Sequence, residues 1–282
     1  MRSFFYFQIL FSILLCLPSL AFIPPAAMIL QRTAENNGQG IYLIELEVLV
    51  QTPTDTLALK ETWLVENENS MKLLVSTNKD NRDVLLFSNS YRNGHRQPLG
   101  DRTKGEDKKL DDEFIEKYFH FRNSHNMAEN LVQMRIALPE VLEKKKIVNL
   151  KNYSYRSEDF LRLSRTGGVV TYAFGSASPA LEEAAPPGLW IEQDQFVLRK
   201  IRLPSQVEIS ADKHSAFSRG LIFPKVRLVR WENKQIQINT LSVVSKARDF
   251  FPNFGAKVVS KSDLITTHPA WFLAEEFYKR FR

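Results

Sequence analysis

The chain has 282 residues, 44% of them hydrophobic and 25% charged, with 38 Lys and Arg against 32 Asp and Glu for a formal charge of +6. A chain of that length buries a large core without covalent staples, and the hydrophobic share excludes a disordered polypeptide. Its single cysteine, Cys16, lies in an N-terminal apolar run, so a chain cut beyond it has no disulfide, no thiolate metal site and no cysteine nucleophile.

After Met1 and Arg2 the run from Phe4 to Leu17 is apolar apart from Gln8 and Ser12, and Ser19-Leu20-Ala21 places small residues two apart. A short basic start, an apolar stretch and a small-x-small site make a secretory signal, with the cut expected after Ala21. An uncleaved anchor is the alternative. Pro18, Pro24 and Pro25 speak against it, because a spanning helix needs about 20 uninterrupted residues and proline removes backbone donors. Leu15 before Cys16 also departs from the bacterial lipoprotein pattern, which has a small residue there. The expectation is a mature chain, 22–282, outside the cytoplasm. Without cysteine it suits a bacterial periplasm better than a eukaryotic secretory route, although Asn152-Tyr153-Ser154 forms a glycosylation triplet. The basic balance favours anionic lipid head groups, lipopolysaccharide or acidic polypeptides over nucleic acid; an ordinary solvated surface is the plainer reading of charges spread through the chain.

Segment 26–32 reads as a short amphipathic helix with Met28, Ile29 and Leu30 apolar, stopped by Asn36-Asn37-Gly38. Segments 41–50, 56–66, 71–77 and 84–88 are rich in aliphatic and β-branched residues and are separated by short polar turns at Thr52-Pro53, Asn67-Glu68-Asn69 and Asn78 to Asn81. Connections this short make antiparallel neighbours, because a parallel crossover needs a dozen or more residues. Residues 93–112 read as an exposed loop or long hairpin tip. Phe114, Ile115, Tyr118 and Phe119 then recur at helical spacing, with Asp111 and Asp112 placed to cap the start. Met127, Leu131 and Met134 mark a second helical stretch, and Pro139 opens a third ending in Lys144-Lys145-Lys146.

Strands return over 153–164, 169–175, 189–203, 207–210, 226–231 and 235–244, with a hairpin turn at Gly167-Gly168. Segment 269–282 is the clearest helix: Ala270, Trp271, Ala274, Phe277, Tyr278 and Phe281 form one apolar stripe, Glu275–Lys279 and Glu276–Arg280 are i,i+4 pairs, and Thr267 is the candidate cap. The helix either packs across an open sheet face or binds a membrane surface, and its acidic pair favours packing. No repeat of fixed period and no linker appear, so one domain is expected over 22–282.

Chemical signatures are sparse. The five histidines, His95, His120, His125, His214 and His268, form no metalloenzyme pattern, and the chain has no nucleophile elbow, phosphate loop or dinucleotide fingerprint. No cofactor is expected. Carboxylates such as Glu192 and Asp194, or Asp111-Asp112-Glu113, do not pair recognisably, although a dyad assembled in space stays open. The balance moves from enzyme toward carrier, binding module or envelope adaptor.

The run from Gly188 to Ile201 is a Trp-led strand, an acidic and amide turn and a second strand, followed by Gly220-Leu221-Ile222-Phe223-Pro224-Lys225-Val226 and a strand pair ending in Ile236-Gln237-Ile238. This order resembles the LolA-like, outer-membrane lipoprotein-sorting superfamily, as does an early helix followed by antiparallel strands. The resemblance covers 26–245 and implies an α+β, mainly antiparallel fold: a curved incomplete barrel, or half-barrel, wrapped around helices. It further implies a concave apolar face that takes lipid acyl chains or an apolar part of a partner. The insert at 93–109 and the terminal aromatic helix have no counterpart in that pattern, and the family's lid-closing arginine has no assignable position. Candidate residues of the apolar face and its rim are Trp63, Phe87, Trp190 and Phe196, with Phe250, Phe251 and Phe254 in a Pro-containing loop that either rims a pocket or tucks onto the core. The expected function is a periplasmic, non-enzymatic, monomeric carrier for lipid or acylated protein, with peripheral membrane contact. The alternatives are an envelope sensor or adaptor of the same fold and a hydrolase with a spatially assembled site.

Overall fold

The computed structural model describes residues 23–79, 82–99, 107–139, 160–175, 185–250, 254 and 267–282. The leader with its cut and Cys16, the Asn152 triplet, the helical piece ending at Lys146 and Phe251 lie outside the described residues. Helix α1 (Ala26–Glu35) precedes strands β1 (Ile41–Gln51), β2 (Thr56–Asn67), β3 (Ser70–Lys79), β4 (Arg82–Arg92), β5 (His95–Pro98) and β6 (Lys108–Lys109). A 3₁₀ turn (Ile115–Phe119) and helix α2 (Ser124–Gln133) follow. The second half holds β7 (Leu161–Thr166), β8 (Val169–Phe174), β9 (Gly188–Glu192), β10 (Leu198–Arg202), β11 (Glu208–Ala216), β12 (Ile222–Trp231), β13 (Lys234–Lys246) and helix α3 (Trp271–Phe281).

The strands form one 13-stranded antiparallel sheet in the order β6-β5-β4-β3-β2-β1-β13-β12-β11-β10-β9-β8-β7, open at both edges. Two meanders are thus joined by one long-range ladder, in which Tyr42 pairs with Ser245 and Val48 with Ile238. Bulges near Glu45, Val65, Val75 and Leu198 insert unpaired residues, and such insertions bend strands and raise twist, which lets the sheet curl into a half-barrel. Strict alternation assigns one face inward: Tyr42, Ile44, Leu46, Val48 and Val50 of β1 are buried while Leu43, Glu45, Glu47 and Leu49 are only partly covered. The fold expected from the sequence, an incomplete antiparallel barrel around helices, is the one observed.

Several local expectations are corrected. Of the two expectations for the insert after β4, the hairpin is the one seen in its described residues: Asn93-Gly94 turns the chain and β5 and β6 extend the edge. Segment 189–203, given above as one run, is the strand, turn and second strand read from Gly188 to Ile201: the backbone reverses through Gln193 to Val197 with Phe196 at φ 52. The segment at Phe114 is a 3₁₀ turn without a side-chain cap; Asp111 instead accepts the Glu113 N–H at 2.9 Å. Ile115, Glu116, Tyr118 and Phe119 are all buried there, so packing on every side, rather than one amphipathic face, sets the backbone. At α3 no side chain caps the start, and His268 Nδ1 takes the Ala270 N–H in place of the expected Thr267 cap.

Candidate functional site

Helix α3 fills one end of the concave face. Ala274, Phe277, Tyr278 and Phe281 are buried against the sheet, as its apolar stripe predicts. Phe281 meets Trp231 edge-on at 5.1 Å between ring centroids, and Tyr278 meets Phe87 at 5.0 Å. Glu275 and Lys279 pair within the helix at 2.9 Å. The expected Glu276–Arg280 pair gives way to longer-range partners: Glu276 accepts from Trp231 Nε1 and Lys234 Nζ, and Arg280 makes a bidentate pair with Glu113. These fork-to-fork and cross-sheet bonds fix the helix against two distant segments, which an intrahelical pair would not do.

Beneath α3 lies a buried ionic network. Glu61 on β2 and Arg227 on β12 occupy inward positions of the sheet, Glu116 and His120 come from the 3₁₀ turn, and Arg282 follows α3. None of the five is more than 1% exposed. Arg282 Nε donates to Glu61 Oε1 at 3.0 Å and its Nη1 lies 3.3 Å from Glu116 Oε2. Arg227 Nη1 donates to that same Glu116 oxygen at 2.9 Å, His120 Nε2 sits 3.2 Å from Glu116 Oε1, and Trp63 Nε1 donates to Glu61 Oε2 at 2.7 Å. Burial works to raise the Glu116 pKa, but the Arg227 and Arg282 guanidiniums outweigh it and hold the carboxyl well below the usual range. Burial pushes His120 down, so the imidazole is neutral at pH 7 and two carboxylates balance two guanidiniums.

The balance of charge is complete, but the hydrogen bonding is not. Arg227 Nε and Nη2, and both Nη atoms of Arg282, make no hydrogen bond. Aromatic faces take their place: Arg227 lies 4.8 Å from the Phe119 ring centroid, and Arg282 lies 5.0 Å from Phe277 and 5.4 Å from Trp63. The Arg282 guanidinium thus bridges two carboxylates, Glu61 and Glu116, and these are the candidates for a spatially assembled hydrolase site. A general acid needs a raised pKa and access to substrate, whereas Glu116 is lowered and wholly enclosed. Among the described residues no group of three His, Cys, Asp or Glu side chains comes together as a metal site.

A crevice of about 760 Å³ separates α3 from β4 and β5. Phe87, Pro98, Trp271 and Tyr278 give it apolar walls, and Arg96, Lys108, Lys109 and Lys279 stand with Asp107 and Glu275 at its rim. Arg96 Nη1 donates to the Tyr278 carbonyl at 3.3 Å and to the Arg282 main-chain oxygen, which places a cation on the carbonyl end of the helix. The arrangement can bind an amphiphile: apolar walls for a tail, cations for an acidic head.

The candidate residues read from the sequence do not form one surface. Trp63 stacks on Tyr91 inside the groove, and Phe87 lines the crevice. Phe196 packs by Tyr172 at the far side of the sheet, its carbonyl taking a bond from Asn36 at the end of α1. Trp190 alternates with the inward Leu189 and Ile191 and so faces outward, under the cations of Lys200 and Arg202. Phe250 and Phe254 lie 6.3 Å apart, and the Phe254 carbonyl accepts from Lys72, which points away from inward-facing Met71 and Leu73. Sequence reasoning does not find the ionic network, although the network leaves a signal there. Glu61 breaks an inward run of Leu57, Leu59, Trp63 and Val65, and Arg227 breaks one of Phe223, Val229 and Trp231.

No protein-family model matches the sequence, and no curated protein matches it. Fold and groove define an open antiparallel half-barrel whose concave face is occupied by helices. In backbone course the chain is similar to a LolA superfamily protein from Nitrosomonas europaea, at 9% identity and a TM-score of 0.49, covering 81% of this chain and 98% of that one. It is also similar to an outer membrane lipoprotein-sorting type domain from Vibrio parahaemolyticus, at 8% identity and 0.44, covering 80% and 96%. A DUF1329 family protein from Desulfovibrio piger follows at 8% and 0.42, covering 80% and 95%. What the groove binds depends on its side chains.

Proposed function

We propose that the chain is an exported, periplasmic binding protein of carrier or adaptor type, whose concave groove takes an acyl chain, free or on a lipidated protein, in place of helix α3. The observation that carries this reading is the occupant itself: the groove beside the crevice is filled by an amphipathic helix appended after the last strand. Burying Phe277, Tyr278 and Phe281 contributes roughly 5–9 kcal/mol, and ten methylenes of an acyl chain offer about 8 kcal/mol in exchange. An acyl chain therefore offsets the apolar burial of those three side chains, and the buried contacts of Arg282 are a further cost that exchange has to meet. Release of α3 also withdraws Arg282 and leaves Glu61 and Glu116 facing Arg227 alone. Uptake of a proton by His120, beside Glu116, restores the balance, so exchange is favoured as pH falls below neutral.

The test is titration with a fluorescent fatty acid while amide hydrogen exchange is followed along the chain. Fatty acid should strip protection from residues 271–281 and leave the β1–β13 ladder protected, with affinity rising from pH 7.5 to pH 6. Absence of binding, or binding with α3 still protected, would defeat the reading. A second reading, an adaptor that binds a protein through the outer side of α3, is favoured by Phe272, which is 75% exposed. Phe272→Ser should then abolish partner recovery while fatty-acid binding is unchanged.

A further inference from the structure

β1 runs the height of the half-barrel. At its far end His268, just ahead of α3, lies 3.4 Å from Asp55 in the β1–β2 turn, so α3 occupies that end. The other mouth, at Gly40, has a different chemistry. Arg122 Nη2 donates to the Gly40 carbonyl at 2.7 Å, and Arg219 lies so close that a Cβ on Gly40 would stand 2.8 Å from its Nη1. Gly40 has φ +129, a conformation that side-chain-bearing residues rarely adopt, so glycine is what allows the two guanidiniums to converge on one peptide. Lys246 ends β13 in register with Ile41, and Arg248 follows it.

These four cations line a cavity of about 610 Å³ whose lining carboxylates are Glu66 and Glu68. Glu68 accepts from the Arg122 N–H and from Asn126, and Glu66 accepts from Ser70. Arg219, Lys246 and Arg248 make no ion pair among the described residues, and Arg122 Nε is buried without a hydrogen bond. Beside this basic mouth stand large apolar side chains in water: Val244 is 46% exposed and Phe250 37%. Val244 and Lys246 share one face of β13, and Lys246 Nζ sits 4.9 Å from the Phe250 ring centroid. Cations in excess of the lining carboxylates, beside an aromatic ring and an aliphatic side chain, complement a surface with phosphates outside and hydrocarbon just beneath.

We propose that this mouth is a docking surface for an anionic lipid bilayer, with Arg219, Lys246 and Arg248 engaging lipid phosphates and Phe250 and Val244 resting at the acyl boundary. The surface is separate from the α3 crevice, so the proposal stands or falls apart from the groove's ligand. The experiment is cosedimentation of the full chain with vesicles of phosphatidylcholine alone and of phosphatidylcholine with about one third phosphatidylglycerol. Wild type should bind the anionic vesicles and lose most, but not all, of that binding as salt rises. Each cation near such a surface contributes about fivefold to partitioning, so Lys246→Gln with Arg248→Gln should lose about thirtyfold, and Lys246→Glu with Arg248→Glu more. Phe250→Ser should remove the residual binding that persists at high salt. Fatty-acid binding by the double Gln variant should stay at the wild-type value. Equal binding to both vesicles, none to either, wild-type binding by the charge-reversed variant, or complete competition by inorganic phosphate at low ionic strength overturns the proposal. The last of these would mark a site for free anions.

Discussion

Replacing Arg282 with Met isolates what the buried network contributes. Arg282 is fully enclosed, its guanidinium joins Glu61 to Glu116, and its other donors face Trp63 and Phe277. Methionine keeps most of the apolar contact and removes the charge. Glu61 is then left with the Trp63 N–H, while Glu116 keeps Arg227 and the His120 ring. Removing one partner of a buried pair costs about 3–5 kcal/mol, because the other charge stays desolvated. Adding Glu61→Gln restores the balance, since Gln still accepts from Trp63 and Glu116 still holds Arg227; most of the loss should return, with a coupling of at least about 2 kcal/mol. Urea unfolding of wild type and the three variants at pH 7, followed by tryptophan fluorescence, measures the cycle. The pH dependence has a definite sign. In the wild type the folded pKa of Glu116 lies below its unfolded value, so its contribution is full above the ordinary carboxylate range and is lost only as pH falls through the depressed folded value. Additive single effects, or a Met variant within about 0.5 kcal/mol of wild type, would refute the reasoning.

His214 offers an independent titration. Burial and the nearby Arg199 push its pKa down to about 4, so the folded state keeps it neutral, and up to about 3 kcal/mol of stability present at neutral pH is lost as pH falls from 6.5 to 4. An imidazole chemical-shift titration should show that depressed midpoint, and His214→Gln should flatten the acid limb of the stability profile; a midpoint near 6.5 would contradict the burial. Gly175→Ala tests the end of β8, where φ is +108 and a Cβ would stand 2.5 Å from the Pro187 carbonyl oxygen. Backbone on both sides cannot yield cheaply, so a loss of about 2–4 kcal/mol is expected in the same urea assay, and a neutral effect would mean that the 175–188 approach is not as close as described.

Much of the fold is legible in the sequence. The first four strands are separated by turn residues too short for a crossover, so their antiparallel meander follows from chain length alone. The apolar stripe of α3 identifies the face it buries, because 3.6-residue periodicity admits only one dry side. Trp190 shows where this stops. In Gly188-Leu189-Trp190-Ile191 both phases of the strand are apolar, so alternation cannot say which faces inward, and the sheet turns Trp190 out under Lys200 and Arg202. Glu276 and Arg280 show the same limit for charge: at i,i+4 they suit each other, but stronger partners arrive from β12, β13 and Glu113.

Local composition and period already specify the strand-rich chain, the meander of the first four strands and an amphipathic helix near its end. The tertiary structure alone decided that β1 meets β13, that α3 lies in the groove, and that Glu61, Glu116, His120, Arg227 and Arg282 gather beneath it. Those five come from β2, the 3₁₀ turn, β12 and the residue after α3, and no local pattern links them. A buried charge is tolerated only where an opposite charge from a distant segment meets it, and that meeting exists only once the sheet has curled and the helix has docked.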